Sequence, residues 1–287
     1  MTSVAPLPGD RELGQSGSWQ FMTGLISLLE PDELLQRFFQ LLRQHVACDA
    51  FAYRYDASSL EIRFGIVGRC HAEYHLRLGE VSLGYIGFSR RRRFSEADLE
   101  LIERALGLLL HPLRNALRYR EACLEARRDP LTGVLNRGAM DEVLQRQLLL
   151  AERHGEPFSL LILDLDNFKQ INDRYGHAKG DEVLRRVAGI LQAVCRGSDP
   201  VFRYAGDEFV VAMHRADHEG GRCMAERLRH AVDQEDFGLP DDGPGVAMSI
   251  GIATRKADDT PDSLLQRADR GLYKAKAGGR NRTQALN

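Results

Sequence analysis

The chain is organised around seven consecutive residues, Arg203-Tyr204-Ala205-Gly206-Asp207-Glu208-Phe209. Two short runs with β-strand character flank them, Pro200 to Tyr204 and Phe209 to His214. A pair of small residues followed at once by two acids predicts a hairpin turn at which a bulky anion can approach the main chain closely. The stretch therefore predicts a turn that combines an anion-binding backbone with two carboxylates.

A second acidic stretch lies upstream, Leu163-Asp164-Leu165-Asp166, at the end of a buried-looking strand from Phe158 to Leu163. Two carboxylate-bearing strand ends brought side by side form an oxygen-rich site for hard divalent cations. Magnesium at such a site is normally shared with substrate phosphates. The two stretches together therefore predict nucleotidyl transfer assisted by two metal ions.

Five segments, taken in order along the chain, carry a resemblance to a known family. They are Asp129-Pro130-Leu131-Thr132-Gly133 with Asn136-Arg137; Asp164-Leu165-Asp166-Asn167-Phe168-Lys169 with Ile171-Asn172-Asp173; Gly176-His177 with Gly180-Asp181; the turn around Gly206; and Ala268-Asp269 with Leu272-Tyr273-Lys274-Ala275-Lys276 and Gly279-Arg280-Asn281. On these residues, the region from about Asp129 to the C-terminus resembles a GGDEF domain, the catalytic domain of diguanylate cyclases. The sequence departs from the family motif at Ala205, which stands in place of the first glycine.

Length, charge and cysteine usage limit the class of protein. The 287 residues suggest about two domains, and 43% apolar with 28% charged residues is typical of a globular protein. A net charge of -2 gives no basic field for nucleic acid. The start of the chain lacks a signal-peptide pattern, no apolar run reaches the roughly 20 residues of a membrane helix, and the five cysteines are scattered. We therefore expect a cytoplasmic protein with reduced thiols, no membrane span and no nucleic-acid partner.

The N-terminal part reads as a small α+β domain, residues 18–98, behind a flexible arm, residues 1–17, that is rich in Gly, Pro and Ser. The predicted elements are a helix from Trp19 to Val46 in which Pro31 opens a new turn, strands at Phe51–Tyr55, Glu61–Ile66, His71–Leu78 and Val81–Phe88, and a helix that opens at Ser95 with Asp98 three residues on. This order resembles a GAF domain, a sensory and dimerising module that would take a small ligand or a protein partner. A PAS-like or other small α+β module with the same role stays open.

Residues 99–128 read as a signalling helix with a coiled-coil pattern. Apolar residues recur every seven positions in two rows, Leu99, Leu106, Leu113 and Ile102, Leu109, Ala116, Cys123. Pro112 is expected to kink this helix or to break it in two. We expect the first half of the seam to cover the N-terminal sheet and the second half to pair with another protomer, so that Leu106, Leu109 and Leu113 hold a dimer. The alternative is a helix that only packs on its own sheet.

Residues 129–287 give the order strand, helix, hairpin, helix, strand. The predicted elements are helices at Asn136–His154, Phe168–Tyr175, Asp181–Arg196, Asp217–Val232 and Pro261–Ala277, the strand and hairpin named above, a strand at Val246–Thr254 and a last strand in the tail. This order is that of the ferredoxin-like core, elaborated as in the palm of polymerases and class III nucleotide cyclases. The predicted fold class is α+β in both domains.

The resemblance implies a catalytic role for Asp164, Asp207 and Glu208. Asp164 and Asp207, with the Leu165 carbonyl, would bind two Mg2+ ions, for which Mn2+ can substitute. Glu208 would lie against the metal pair and assist deprotonation of the attacking ribose hydroxyl. Asp166 also matches the family, as a metal ligand or as a structural hydrogen-bond acceptor.

The resemblance also implies how GTP is held. The backbone N–H groups of Phe168 and Lys169 would bind phosphate oxygens at a helix start, with Gly206 beside them. Lys169, Lys276 and Arg280 would add positive charge, although the last two can also be ordinary cations at a helix end. Asn172 and Asp181 would read the base, because guanine offers two donors on one edge and a carboxylate only accepts. Asp181 can instead cap a helix.

The product, cyclic di-GMP, joins two nucleotides with loss of two pyrophosphates, so two domains that each hold one GTP must face each other in a homodimer. Arg196 and Asp199, with Arg227, are placed as in the inhibitory product-binding site of the family. The alternative function is a catalytically degenerate receptor for cyclic di-GMP or GTP, in which Ala205 has spoiled the turn. Alanine is harmless if the positive φ falls on Gly206.

Overall fold

The computed structural model describes residues 2–4, 24–240 and 244–286. The chain divides into two compact units, Met1–Glu125 and Ala126–Asn287. The predicted arm over residues 1–17 lies outside the described residues, apart from a short strand β1 (Thr2–Val4). In the described ranges, no helix is both long enough and apolar enough to cross a membrane.

The first unit is a sheet with helices before and after it in sequence. Its remaining elements are α1 (Pro31–Leu42), β2 (Ala50–Tyr55), β3 (Leu60–Gly65), β4 (Cys70–Leu78), β5 (Val81–Arg90) and α2 (Glu96–Ala126). The strand order is β1-β4-β5-β2-β3, in which β1 runs parallel to β4 and the other neighbours are antiparallel. The four predicted strands are confirmed to within two residues at each end, because their apolar residues alternate as a half-buried strand requires.

The predicted helix from Trp19 to Val46 is wrong as one element. A helical turn covers residues 24–26, the chain then leaves helical geometry, and α1 begins at Pro31. Proline has no backbone N–H and a fixed φ, so it fits the first position of a helix better than an interior one. Residues 19–23 lie outside the described part of the chain.

The start of α2 is capped as the sequence predicted. Asp98 N donates to Ser95 Oγ at 3.2 Å, and Ser95 N donates back to Asp98 Oδ2 at 3.0 Å. This reciprocal pair satisfies backbone donors that the first helical turn leaves without a partner. Pro112 lies inside α2, and the helix continues through it, so a break into two helices is wrong.

The seam on α2 is buried within the first unit itself. Leu106, Leu109 and Leu113 are 0% exposed and pack in one core with α1 and the sheet. A side chain that is already buried in its own domain cannot also line a contact with a second protomer. The expectation that these three residues hold a dimer is therefore wrong, because they pack on the protein's own sheet. Pairing through the last part of the seam, at the half-buried Cys123, stays a prediction.

The second unit holds a six-stranded sheet. Its elements are β6 (Leu135–Asn136), α3 (Arg137–His154), β7 (Phe158–Asp166), α4 (Phe168–Tyr175), α5 (His177–Val194), β8 (Val201–Ala205), β9 (Glu208–His214), α6 (His218–Asp233), β10 (Ala247–Thr254), α7 (Pro261–Ala277) and β11 (Thr283–Leu286). The sheet order is β11-β10-β7-β9-β8-β6. The four central strands, β10-β7-β9-β8, are antiparallel to one another and give the predicted ferredoxin-like arrangement, whereas the outer strands β11 and β6 run parallel to β10 and β8.

Two element boundaries differ from prediction in ways that affect the site. β7 runs to Asp166 rather than to Leu163, so both acids of the first acidic stretch lie in the strand. α5 begins at His177, after Gly176 with φ +83°, rather than at Asp181. Asp181 therefore lies inside the helix, and its alternative role as an N-cap is wrong.

β7 is the centre of the second unit, and all nine of its residues are buried. Leu161, Leu163 and Leu165 face a core shared with α5 and α6, whereas Leu160 and Ile162 face a core shared with α3 and α7. A strand covered on both faces reads as a continuous apolar run, which is how it appears in the sequence. Its position between two helical layers fixes where its carboxyl end lies.

Substitution of Leu109 by Ala tests the corrected role of α2. We expect Leu109→Ala to destabilise the first unit by about 2–5 kcal/mol, because it leaves a cavity in a closed core. The matched control is Leu124→Ala on the same helix, at a side chain that is 47% exposed, which we expect to change stability by about 0.5 kcal/mol or less. Chemical denaturation of the full chain measures both. An unchanged unfolding transition with weaker self-association in Leu109→Ala would restore the seam between protomers.

Candidate active site

Two neighbouring strands bring the predicted carboxylates together. β7 and β9 are antiparallel, and their register sets Asp164 directly opposite Glu208. Leu165 N donates to Asp207 O at 3.4 Å, so the pairing continues into the turn. Because a slip by one residue would turn every side chain of β7 toward the opposite core, close packing against the helices on both faces fixes this register. Asp164, Asp207 and Glu208 therefore meet at one end of the sheet.

Burial and mutual repulsion perturb these carboxyl groups. The pKa of Asp164 is raised to about 6. Burial is the main cause, a hydrogen bond from Lys276 opposes it, and the charges of Asp207 and Glu208 add to the rise. Burial also raises the pKa of Glu208, which Lys276 and Arg137 lower and Asp207 and Asp269 raise. Lys276 and Arg137 compensate only part of the negative charge of these groups, and a bound cation would compensate more.

Lys276 lies among these carboxylates. It belongs to the last turn of α7, and its Nζ donates to Asp164 Oδ2 at 2.7 Å. The Lys276 side chain is 37% exposed, whereas that of Asp164 is 9% exposed. Lys276 therefore pairs with a buried acid while its own side chain still reaches solvent. An ordinary cation at a helix end would not have such a buried partner.

The donor set fits a hard divalent cation that is shared with a ligand. In the described ranges, no three His, Cys, Asp or Glu side chains are arranged to hold a metal ion unaided. Mg2+ seldom uses a cage made of protein alone and takes one or two carboxylates together with phosphate oxygens. Asp164 and Asp207, on adjacent segments with Glu208 beside them, match that smaller requirement.

Asp166 has a different environment from Asp164. Its Oδ1 accepts from Ser249 Oγ at 2.8 Å, and its Oδ2 accepts from the Asn281 backbone N at 2.8 Å. The residue is 3% exposed. Of the two roles that the sequence left open for Asp166, the structure favours the hydrogen-bond acceptor.

The signature turn tolerates alanine at its first position. The positive φ falls on Gly206, at +40°, and Ala205 is not among the described residues with positive φ. Ala205 ends β8, pairs with Glu208 and is exposed. Its methyl group therefore neither strains the backbone nor displaces a buried neighbour.

The predicted base-reading residues lie on two adjacent helices. A Cβ atom placed on Gly180 in α5 would lie 1.9 Å from Asn172 Oδ1 and 3.2 Å from Phe168 Cζ, both on α4. The absence of a side chain at Gly180, the residue before the half-buried Asp181, therefore lets Asn172 lie against α5. Lys169 is exposed in the first turn of α4.

The predicted product-binding residues gather at the C-terminal end of α5. Asp199 is 3% exposed, and its backbone N donates to Arg196 O at 2.9 Å. Arg227 Nη2 donates to Val194 O at 2.9 Å. The pKa of Cys195 is raised to about 12. Burial is the main cause, the charge of Asp199 adds to the rise and the charge of Arg227 opposes it, so both charges lie near this thiol.

Arg203 supports the signature turn, a role that the sequence reasoning missed. Its Nε donates to Gly206 O at 2.9 Å, and its Nη1 donates to Asp129 Oδ1 at 3.0 Å. Thr132 donates to the same Asp129 oxygen through N and Oγ1, at 2.9 and 2.7 Å. The sequence could have indicated this role, because Asp129 and Arg203 both belong to segments that match the family.

The second unit is similar to a known protein family. A family model described as "Diguanylate cyclase, GGDEF domain" matches residues 126–282, more than half of the chain. The chain belongs to the GGDEF family. The match begins one residue after the first compact unit ends and includes every predicted site residue.

Curated relatives and solved structures of similar proteins agree with this family assignment. The chain is 39% identical over 178 residues to diguanylate cyclase DgcS of Shewanella oneidensis, which covers 61% of this chain and 57% of the relative. It is 40% identical over 158 residues to diguanylate cyclase DosC of Escherichia coli K12, with 54% and 34% covered. The crystal structure of the coiled coil and GGDEF domain of DgcB from Caulobacter crescentus, in complex with c-di-GMP, is 31% identical, has a TM-score of 0.57 and covers 67% of this chain and 100% of that one.

The chain spans less than two thirds of the length of these curated relatives. The family model itself matches the second unit up to residue 282. Cyclases of this family generally use divalent metal ions, which agrees with the donor set at Asp164.

Substitution of Gly180 by Ala tests the contact between α4 and α5. The new Cβ would displace the end of the Asn172 side chain, which can move without unfolding the protein, so we expect GTP affinity to fall by about tenfold with little change in the unfolding midpoint. Isothermal titration with a non-hydrolysable GTP analogue measures the affinity. The matched control is Gly189→Ala in the same helix, where an added Cβ meets nothing within 4 Å. Equal affinities in the two variants would contradict a role for Asn172.

Proposed function

We propose that this GGDEF protein is a diguanylate cyclase, which condenses two GTP molecules into cyclic di-GMP and releases two pyrophosphates. The observation that carries the proposal is the cluster at the end of β7, where Asp164 lies opposite Glu208 with Asp207 beside it and Lys276 bound to Asp164. Relatives that are named diguanylate cyclases match the region that contains this cluster.

Asp164 and Asp207, with the Leu165 carbonyl, would hold two Mg2+ ions, or Mn2+ in their place. When bound, such ions stabilise negative charge on the attacking and leaving oxygens. Glu208 would accept the proton of the ribose 3′-hydroxyl. The raised pKa of this carboxyl suits the role, because a general base works best when its pKa is near the working pH.

Other residues would hold the nucleotide in place. The first N–H groups of α4, at Phe168 and Lys169, and the turn at Gly206 would bind phosphate oxygens, since the start of a helix has free donors. Lys169, Lys276 and Arg280 would add positive charge. Asn172 and Asp181 would contact the base, and the Asp181 carboxylate would accept from N1–H and the amine of guanine. The close approach of Asn172 to Gly180, the residue before Asp181, supports this proposal. Adenine lacks that pair of donors and would leave the carboxylate without partners.

One domain has room for one GTP, so the reaction needs two domains that face each other, and we infer a homodimer that works in the cytoplasm, where GTP is available. The first unit would act as a GAF-like sensory domain that binds a small ligand or a protein partner. Because Leu106, Leu109 and Leu113 are buried within that unit, the contact between protomers would use other residues.

The second candidate is a receptor that binds cyclic di-GMP or GTP without turnover. It would rest on Ala205, but this residue lies in ordinary strand geometry with its methyl group exposed, which removes the reason to expect a damaged turn. Arg196, Asp199 and Arg227 would then serve as an inhibitory product site on an active enzyme. An exposed arginine beside a buried carboxylate can bind both the phosphate and the guanine of the product.

Incubation of the pure protein with Mg2+ and GTP, followed by chromatography and mass spectrometry, tests the activity. We expect cyclic di-GMP from the wild type and a loss of about a hundredfold or more in rate for Glu208→Gln, with GTP binding largely intact, because the variant lacks the base. Glu152→Gln, at an exposed glutamate of α3, is the matched control. No product from the wild type together with robust product from Ala205→Gly would decide for the receptor.

Substitution of Arg196 by Ala tests feedback by the product. We expect the variant to need about tenfold more cyclic di-GMP for half inhibition, because an arginine–phosphate pair is lost, while the initial rate stays that of the wild type. Arg185→Ala, at an exposed arginine of α5, controls for the loss of charge. Product inhibition that is unchanged in Arg196→Ala and in Asp199→Ala would rule out this site.

A further inference from the structure

The turn that follows α7 has a backbone conformation that must be held in place. Gly279, Arg280 and Asn281 have φ values of +116°, +60° and +44° in succession. Residues other than glycine adopt positive φ at a cost, and such strain persists only where the surroundings enforce it. Arg280, a predicted phosphate ligand, is the central residue of the three.

Asp166 is the buried group that bonds to this turn. Its Oδ2 accepts from the backbone N of Asn281 at 2.8 Å, at the residue directly after Arg280. Ser249 Oγ bonds to both carboxylate oxygens, at 2.8 and 3.0 Å, which orients the carboxylate from the neighbouring strand β10. Since Asp166 is 3% exposed, water competes little for these bonds.

The side chain of Asn281 and the next residues tie the turn to two other elements. Arg229 Nη1 donates to Asn281 Oδ1 at 3.0 Å, and Asn281 Nδ2 donates to Asp233 Oδ1 at 3.1 Å, both on α6. Ile250 N in β10 donates to Arg282 O at 2.9 Å. These bonds hold the turn against α6 and β10. The bond from Asn281 N to Asp166 ties the turn to β7, the strand that carries Asp164.

We infer that Asp166 is a positioning residue for nucleotide binding: through the N–H of Asn281 it fixes the backbone that presents Arg280 to the phosphates. The inference rests on the proposed function in one respect, that Arg280 binds phosphate. Asp164 and Asp166 are two residues apart on β7, so their side chains leave the strand on the same face. One strand thereby carries both the carboxylate that would bind the metal ions and the acceptor that holds the backbone next to Arg280.

Equilibrium binding of a non-hydrolysable GTP analogue, with Mg2+ present, tests this role without relying on turnover. We expect Asp166→Ala to weaken binding by roughly tenfold to a hundredfold, the loss of a charge-assisted contact to phosphate. Asp166→Asn keeps an oxygen that can accept from Asn281 N and a size that fits the site, so we expect it to bind nearly as wild type. A metal-ligand role would instead make Asn almost as harmful as Ala and would raise the Mg2+ concentration that binding requires.

A double-mutant cycle with Arg280→Ala shows whether the two residues act together. If Asp166 acts through Arg280, Asp166→Ala weakens binding no further once Arg280 is absent. Effects that add, or an Asp166→Ala variant that binds as wild type while Arg280→Ala is weakened, would overturn the inference. An Arg280→Ala variant that binds as wild type would instead remove the phosphate-binding role from the proposed function.

Thermal unfolding is followed for each variant. If Asp166→Ala does not fold, Asp166→Leu replaces it, because leucine has a similar shape, lacks an acceptor and fills the buried space. The binding results expected for Asp166→Ala, and those that would overturn the inference, then apply to Asp166→Leu. Ser249→Ala is the matched control, since it removes one partner of Asp166 and leaves the bond to Asn281 in place, and we expect a change in GTP affinity of about twofold or less.

Discussion

The pairing of β7 with β9 is the constraint on which the rest of the second unit depends. It sets Asp164 opposite Glu208 and joins Leu165 to the turn at Asp207. The register is not fixed by the acids, which repel one another, but by the apolar residues on both faces of β7. A slip by one residue would turn each leucine of β7 toward the opposite core and disrupt close packing on both faces, where a single badly fitted side chain costs about 1–3 kcal/mol.

The same arrangement leaves a charge imbalance that explains the contacts around it. Buried carboxylates close together are unfavourable in their charged forms, as the raised pKa values of Asp164 and Glu208 indicate. Lys276 offsets part of this through a 2.7 Å contact, from a side chain that still reaches solvent. A cation that arrives with a nucleotide would offset more and would free the lysine for the phosphates. The negative charge of the cluster is therefore suited to a ligand that brings a cation.

Much of this fold could be predicted from the sequence, and the exceptions have identifiable causes. The alternating strands and the helices α4 and α7 follow directly from apolar periodicity, and α7 also begins with a capping box of Thr260 and Ser263. The helix from Trp19 failed because periodicity continued across a segment in which Pro31 begins a new helix. The seam of α2 was misassigned because heptad spacing describes an apolar face and does not say whether a partner helix or the protein's own sheet covers it.

Site residues were predictable where a motif places them and harder where a contact crosses the sheet. The bonds of Asp166 to Ser249 and Asn281 join residues 83 and 115 positions apart, so no local pattern reveals them. The start of α5 was missed by four residues because Gly176, with φ +83°, begins the helix without a side-chain cap. Contacts of this kind depend on which strands become neighbours, and that is settled by packing of the whole unit.

The tolerance of the signature turn to Ala205 follows from how the turn is supported. The pairing of β8 with β9 is irregular between Arg203 and Ala205, and such a bulge re-aims the strand before the turn. Positive φ is confined to Gly206, whose carbonyl accepts from Arg203, which in turn is held by Asp129. The turn thus depends on a glycine at position 206 and an arginine at position 203. At position 205 the backbone has no positive φ, so alanine adopts it without strain.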